Sequence, residues 1–224
     1  MKVQSVFKLL ALAGAMAVAG GAQAQSAGQW FGKVGINKIT PVVDSGDVSA
    51  PALPHSKAAV GADTQPIIVG GYAITDNITA ELDLGLPYKH ELYGAGAIEG
   101  TGKLGEVQSL PPTAFIQYRF FEPKAALRPY VGLGLTYAWF RRTTGSGQMT
   151  ALTNTGGPAT TFKIDNKVAG TVQLGLAYNF SEKWFADVVF TKTYLKTQVH
   201  FSTGQWQDMT LDPKAVNFGI GYKF

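Results

Sequence analysis

The sequence predicts an all-β chain that folds as an eight-stranded antiparallel transmembrane β-barrel. Charged residues make up only 15% of the 224 residues, whereas soluble domains contain about 25%. Eight segments alternate apolar and polar residues with the period of two that is typical of β-strands. Long and short connections also alternate along the chain, as they do in outer-membrane barrels. The predicted strands are residues 29–40, 65–75, 78–86, 110–121, 130–140, 167–180, 184–195 and 213–224.

The predicted connections distinguish the two ends of the barrel. Short turns at residues 75–77, 122–128 and 181–183 lie at the same end as both chain termini. In outer-membrane barrels this end is periplasmic, and the longer loops are extracellular. The predicted long loops are residues 41–64, 87–109, 141–166 and 196–212.

The N-terminal segment has the features of a cleaved secretory signal. Lys2 and Lys8 precede the uncharged run 9–21, and an A-Q-A pattern ends at Ala24. The run is shorter than the roughly 20 apolar residues of a spanning helix, which argues against the alternative of a membrane anchor. We therefore predict a signal peptide followed by one barrel domain, residues 25–224. Loss of the two lysines lowers the formal net charge from +4 to +2, so a nucleic-acid partner is not expected.

The alternation does not itself show which face of the barrel is outside. In the third segment Ile78, Leu82 and Leu84 share one face, while Glu81 and Asp83 share the other. A soluble lipocalin-like barrel would turn the apolar face inward. Aromatic residues on the apolar faces instead form two rows that flank an aliphatic band, which a bilayer requires. The lower row is Tyr118, Phe120, Tyr178, Phe180, Trp184, Tyr222 and Phe224, and the upper row is Tyr137, Trp139 and Tyr194.

Six charged residues are predicted to point into the lumen near the short turns. Buried charges are costly unless they are paired, so residues of both signs at similar height should form one network. Such a network would close the lower lumen. The alternative is that some of these side chains are solvated in a water-filled lumen. The predicted charge network is Lys33, Glu81, Asp83, Arg119, Asp187 and Lys223.

Nearer the long loops the predicted inner face becomes apolar. Phe115, Phe140, Val189 and Leu195 lie on this face and predict a path for a hydrophobic ligand. A hydrophobic solute that enters from outside gains nothing by crossing the charges below. Its easier exit is therefore through the barrel wall.

The fourth predicted strand begins with Leu110, Pro111 and Pro112. Proline has no backbone N–H, and unpaired backbone at membrane depth is tolerated only where it lines a cavity or faces protein. One interpretation is a lateral opening in the wall at these residues. The other is that the strand begins at Thr113 and the prolines belong to a loop.

Six short motifs occur in order along the chain: T-D-N-I at 75–78, P-Y-K-H at 87–90, L-P-P-T at 110–113, R-P-Y-V-G at 128–132, L-D-P at 211–213 and G-Y-K-F at 221–224. In this set the chain resembles the outer-membrane protein W family, which includes alkane-import proteins. The resemblance implies an eight-stranded barrel with a narrow apolar channel for small hydrophobic molecules that opens sideways into the membrane. Asp83 and Thr191 depart from the family pattern, because family members can carry bulky apolar groups there that constrict the channel.

Other functions have weaker support in the sequence. His55, His90 and His200 lie in or beside the predicted long loops, where no strand places an acid near them, so an enzyme is not expected. Asp44 and Asp47 lack the spacing of a calcium loop, and no metal or cofactor is predicted. The alternative function is a structural, receptor or adhesion barrel that acts through its extracellular loops.

The predicted location is the bacterial outer membrane, with the barrel as an integral protein. The expected partners are outer-membrane lipid and detergent-like molecules, small hydrophobic solutes, and the barrel assembly machinery through the C-terminal Phe224.

Overall fold

The computed structural model describes residues 26–224, so the predicted signal peptide lies outside the described residues. Eight long antiparallel strands form the barrel, as predicted. With all strands numbered in chain order, these eight are β1 (Trp30–Thr40), β4 (Asp63–Ala73), β5 (Ile78–Gly85), β8 (Thr113–Arg119), β9 (Leu127–Gly145), β11 (Lys167–Asn179), β12 (Trp184–Tyr194) and β15 (Lys214–Lys223).

The barrel closes because every one of these strands pairs with two neighbours. The order around the wall is β1, β4, β5, β8, β9, β11, β12 and β15, and β15 pairs with β1 again. Two backbone bonds hold the chain termini at the lower end, which carries the short turns. The Gly28 N–H donates to the Ala73 carbonyl at 2.8 Å, and the Phe224 N–H donates to the Trp30 carbonyl at 3.0 Å.

The apolar face of the barrel points outward. Leu133 is 71% exposed on this face, whereas Glu81 on the inner face is 4% exposed. In the lower row Trp184 packs edge to face on Tyr222, while the upper row of Tyr137, Trp139 and Tyr194 is exposed. The prediction of a membrane barrel is therefore confirmed, and the soluble lipocalin-like alternative is wrong.

Inside the lower barrel, large aromatic rings lie over glycines of the neighbouring strand. Tyr130 is the cross-strand partner of Gly175, and a Cβ added to Gly175 would meet the Tyr130 ring at 2.1 Å. Phe185 and Gly221 form an equivalent pair. Only glycine leaves room for these rings, because eight strands enclose a lumen just wide enough for side chains.

Each of the four predicted long loops contains regular structure that the sequence analysis did not predict. The upper half of β9 extends beyond the bilayer-facing wall and pairs with further strands, and a second small sheet lies beside it. The first group is β7 (Lys103–Leu110), β6 (Tyr88–Gly96) and β3 (Ser56–Val60). The second sheet is β10 (Phe162–Ile164), β13 (Lys196–Phe201), β14 (Trp206–Thr210) and β2 (Asp44–Ser45).

One short helix, α1 (Gly147–Thr153), begins after Ser146, whose Oγ accepts a hydrogen bond from the Met149 N–H at 3.2 Å. Met149 is buried against the two upper sheets. Residues 26–224 contain no helix that is long and apolar enough to cross a membrane.

Of the predicted strand 110–121, residues Thr113–Arg119 form β8, and Pro111 and Pro112 separate β8 from Leu110, the last residue of β7. The barrel strand therefore begins at Thr113, as in the second interpretation of the prolines. From Gln108 onward β7 and β8 pair with β9 in the same register, because Leu110 pairs with Trp139 and Thr113 pairs with Thr136. The two prolines thus interrupt the strand without changing its register with β9.

A closed barrel predicts heat-modifiable migration. Purified protein in mild detergent should run as a compact species when unheated and move differently after boiling, because no strand edge is free to begin unravelling. Gel electrophoresis of heated and unheated samples tests this. Identical mobility in both samples would contradict the closed barrel.

Candidate functional site

Four of the six predicted network residues meet in the lower lumen. Lys33 Nζ lies 2.7 Å from Asp187 Oδ2 and 2.9 Å from Glu81 Oε2, and Arg119 Nη2 lies 3.7 Å from Glu81 Oε2. We call Lys33, Glu81, Arg119 and Asp187 the ion-pair cluster. Their side chains are at most 4% exposed, so they are not solvated as the alternative required. The cluster contains two positive and two negative groups.

The ion-pair cluster is held by neighbours that the sequence analysis did not select. The Tyr130 hydroxyl lies 3.0 Å from both carboxylate oxygens of Asp187 and donates to this carboxylate. The Arg119 guanidinium lies 4.5 Å from the Tyr130 ring centroid and donates to Gln117 Oε1 at 2.8 Å. Gln117 in turn donates to Gln173 at 2.9 Å. In the sequence, the only signal that could have selected Tyr130, Gln117 and Gln173 is an aromatic or amide residue at an inward position near the predicted charges.

Two predicted members of the network lie outside the ion-pair cluster. The Lys223 ammonium donates to Asn179 Oδ1 at 2.8 Å and forms no ion pair within residues 26–224. Asp83 likewise has no ion-pair partner in the described part of the chain, and its Oδ1 is buried without a hydrogen bond. Asp83 nevertheless interacts electrostatically with Glu81, Lys33 and Asp187, so it remains part of the charge network without a direct ion pair. Lys223 is the predicted member whose described hydrogen-bond partner is not an acid.

Above the ion-pair cluster lies a cavity of about 180 Å³ with mainly apolar walls. All four residues of the predicted hydrophobic path, Phe115, Phe140, Val189 and Leu195, line it. The two upper sheets contribute most of the remaining apolar lining, which the loop prediction could not anticipate. These further residues include Leu92, Ile98, Leu104, Val107, Met149, Phe162, Val199, Met209 and Leu211.

The base of the cavity is polar. A chain of threonine hydroxyls runs from Thr113 to Thr136 at 2.8 Å, to Thr171 at 2.6 Å and to Thr193 at 2.9 Å. Thr191, the second departure from the family pattern, also lines the cavity. On the opposite side of the lumen, Asn37 and Asn217 are cross-strand partners. Asp83 lies beside the threonine chain, next to Thr113 across the β5–β8 pair. We call these eight lumen residues the polar tier: Asn37, Asp83, Thr113, Thr136, Thr171, Thr191, Thr193 and Asn217.

The barrel wall is interrupted beside the prolines, between the paired strands β5 and β8 below and the paired strands β6 and β7 above. Backbone pairing of β5 with β8 ends at Asp83 and Thr113, and pairing of β6 with β7 begins at Tyr88 and Ser109, so residues 84–87 on one side and 110–112 on the other lie between the two ladders. Between these points the structure, over its described residues, has no ladder pairing across the gap. The Leu86 N–H instead donates to the Pro66 carbonyl in β4 at 3.2 Å.

The two prolines act on different sides of their strand. The Pro112 carbonyl accepts from the Tyr137 N–H at 3.0 Å, so residue 112 faces β9. Neighbouring residues in an antiparallel strand direct their backbone groups to opposite sides, so residue 111 faces the interruption. Only Pro111 therefore removes a donor from the interrupted side. Leu110 ends β7 and pairs with β9.

His90 lies at the cavity wall just above the interruption. Its Nδ1 donates to the Gly61 carbonyl at 2.8 Å, and its Nε2 accepts from the Ser109 hydroxyl at 3.2 Å when the ring is neutral. Burial lowers the pKa of His90, which favours this neutral form. The ring thus bridges β6 to β7 and to the end of β3.

The other two histidines each have an acidic neighbour, although neither of these acids lies in a strand. His55 Nδ1 lies 3.3 Å from Asp47, and His200 Nε2 lies 3.5 Å from Asp165. Both pairs are solvent-exposed, where such contacts contribute little. Across residues 26–224, no three or more His, Cys, Asp or Glu side chains are grouped to hold a metal ion.

A closed, lipid-facing barrel with a plugged lower lumen and an apolar upper cavity defines the chain as a small outer-membrane β-barrel protein. The OmpW family matches residues 26–224, and the chain belongs to this family. It is 30% identical to outer membrane protein W of Vibrio cholerae, over 90% of this chain and 91% of that protein. It is 26% identical to outer membrane protein AlkL of Ectopseudomonas oleovorans, over 88% and 83% of the two chains.

The fold is also similar to a solved structure. The outer membrane protein OprG of Pseudomonas aeruginosa superposes with a TM-score of 0.80 at 25% identity, and the match covers 90% of this chain and 98% of OprG. The protein is therefore located in the outer membrane, as predicted.

The ion-pair cluster generates a prediction about Asp187. Asp187→Leu removes the shared acceptor of Lys33 and Tyr130, and we expect it to destabilise the barrel by about 3 kcal/mol. Asp187→Asn keeps an acceptor for Tyr130 and should destabilise less. Urea unfolding in liposomes, followed by tryptophan fluorescence, measures both changes.

The same variants test whether the ion-pair cluster blocks ions. Single-channel conductance in planar bilayers should be higher for Asp187→Leu than for the wild type. A wild-type protein that conducts steadily, as a porin does, would show that the lower lumen is open.

Proposed function

We propose that the protein is an outer-membrane channel for passive uptake of small hydrophobic molecules, which leave sideways into the membrane beside Leu110, Pro111 and Pro112. The observation that carries the proposal is the position of Leu84 at the interruption. Leu84 lines the apolar cavity and is also 49% exposed on the lipid face of the barrel. One residue thus borders both the proposed entry compartment and the bilayer.

The cavity supports the choice of solute. Its walls are apolar where the two upper sheets surround it, and burial of an apolar molecule there is favourable. Apolar cavities of about 150 Å³ bind molecules such as benzene. A cavity of about 180 Å³ therefore suits a small hydrophobic solute.

The lower lumen supports a lateral rather than an axial exit. A hydrophobic solute that continued downward would have to separate Lys33 from Asp187 and displace the Tyr130 and Phe185 rings, all of which are buried. Breaking buried ion pairs without replacement partners is costly. The interruption needs no such separation, because its strands are not joined by ladder bonds.

The proposal describes a channel and not an enzyme. The exposed His55–Asp47 and His200–Asp165 pairs do not line the cavity, so a solute in the cavity would not meet them. His90 does line it, but its ring nitrogens are engaged by Gly61 and Ser109.

The two prolines provide a matched pair of variants. Pro111→Val restores an N–H that faces the interruption, whereas Pro112→Val restores one that faces β9. One hydrogen bond contributes about 1 kcal/mol, so Pro111→Val should lower the fraction of barrels whose wall is open at the interruption. Solute uptake should then fall about fivefold. Pro112→Val should change uptake less. Uptake of octane by cells with matched outer-membrane levels of each variant measures the difference.

Pro158→Thr, in an exposed segment outside the wall, controls for proline replacement itself. The heat-modifiability assay confirms folding of each variant. Equal uptake by well-folded wild type and Pro111→Val would contradict exit beside Pro111. Absence of any protein-dependent octane uptake would favour the structural or receptor alternative.

A further inference from the structure

We propose that the cavity binds hydrophobic molecules that carry a hydroxyl group at one end, with this hydroxyl donating a hydrogen bond to Asp83 in the polar tier and the apolar chain pointing upward. This inference rests on the proposed function and specifies the class of solute. It follows from one lumen carboxyl group, Asp83, of which one buried oxygen has no hydrogen-bond donor among the described residues.

The lumen cations form their direct ion pairs with acids other than Asp83. Lys33 and Arg119 are matched by Glu81 and Asp187 within the ion-pair cluster. Lys223 donates to Asn179 instead of an acid. Within residues 26–224, Asp83 therefore has no cation at ion-pair distance.

Asp83 borders the cavity and also lies close to Glu81 of the ion-pair cluster. It lines the cavity together with its cross-strand partner Thr113, and its Oδ1 is buried with no hydrogen bond from any described residue. A buried acceptor left without a donor is energetically unfavourable. A ligand that donates to this oxygen removes that penalty.

Tyr88 can complete the recognition of a hydroxyl. Its phenolic oxygen accepts from Asn37 Nδ2 at 2.8 Å, which leaves the phenolic hydrogen to be donated. Tyr88 lines the same end of the cavity, and its hydroxyl lies near Gly85, two residues after Asp83. An alcohol can thus donate to Asp83 and accept from Tyr88, whereas an alkane can do neither.

The remaining lining favours one orientation of such a molecule. Phe115 and Val189 are buried near the tier, and Leu195 and the upper-sheet residues continue the apolar wall above it. The tier itself ends at the level where the β5–β8 pairing stops, directly below the interruption. The hydroxyl is therefore recognised at the point from which the solute is proposed to leave.

Two isomers separate this inference from general apolar binding. 1-Octanol and 1-methoxyheptane have the same atoms, but only the alcohol has a hydrogen-bond donor. Each is titrated into the ¹⁵N-labelled protein in lipid nanodiscs, and the backbone amide shifts of Thr113 and Thr136 report half-saturation. Each ligand partitions into the lipid to the same extent with wild type and variants. Partitioning therefore cancels when the ratios of the half-saturating alcohol and ether concentrations are compared.

We expect the preference for the alcohol to fall about tenfold in Asp83→Leu, because one hydrogen bond to a carboxyl group is lost. Asp83→Asn keeps an acceptor oxygen and should retain most of the preference. Glu99→Gln, which removes an exposed carboxylate away from the cavity, should leave the ratio unchanged. An unchanged ratio in Asp83→Leu would overturn the inference.

A measurement on the wild type keeps the inference testable if Asp83→Leu does not fold. Nuclear Overhauser contacts from the C1 protons of 1-octanol should reach the Thr113 amide, and those from the terminal methyl should reach residues near Leu195. The reverse orientation would overturn the inference. Octane uptake that depends on the protein, with no alcohol preference, would leave the proposed channel intact. Absence of any uptake of octane or 1-octanol that depends on the wild-type protein would contradict the channel itself.

Discussion

Backbone hydrogen bonding in lipid is the constraint on which the rest of this structure depends. With no water in the bilayer core, each strand must find partners on both sides, and a closed barrel is the β-structure that achieves this. Eight strands then leave a lumen so narrow that inward side chains must fill it. The packing of Tyr130 on Gly175 and of Phe185 on Gly221 follows directly from this limit.

The narrow lumen also determines how charge is distributed inside the barrel. Lys33, Glu81, Arg119 and Asp187 are too buried for water to screen them, so each lies against an opposite charge. Asp83, one inward position above Glu81, forms no direct ion pair in the described residues and borders the apolar cavity. The barrel is thereby divided into a tightly paired lower lumen and an upper cavity with a single unmatched carboxyl group at its base.

The same backbone constraint explains why the interruption is so local. Pro111 and the unpaired end of β5 leave ladder positions open, but Pro112 and Thr113 keep their strand in register with β9. The wall thus loses bonds on one side only, beside a cavity. This is the setting in which irregular backbone at membrane depth is tolerated.

Alternation with a period of two assigned the eight barrel strands and the two faces of each, because a strand places successive side chains on opposite faces. The two rows of aromatic residues then indicated which face is outward and so placed Lys33, Glu81 and Asp187 in the lumen. The upper sheets were not predictable, since short strands such as β13 and β14 are stable only against partners that are distant in sequence. Which inward charges meet was likewise decided by the tertiary structure. Side-chain reach across a curved wall joined Arg119 to Glu81 and left Asp83 facing the cavity.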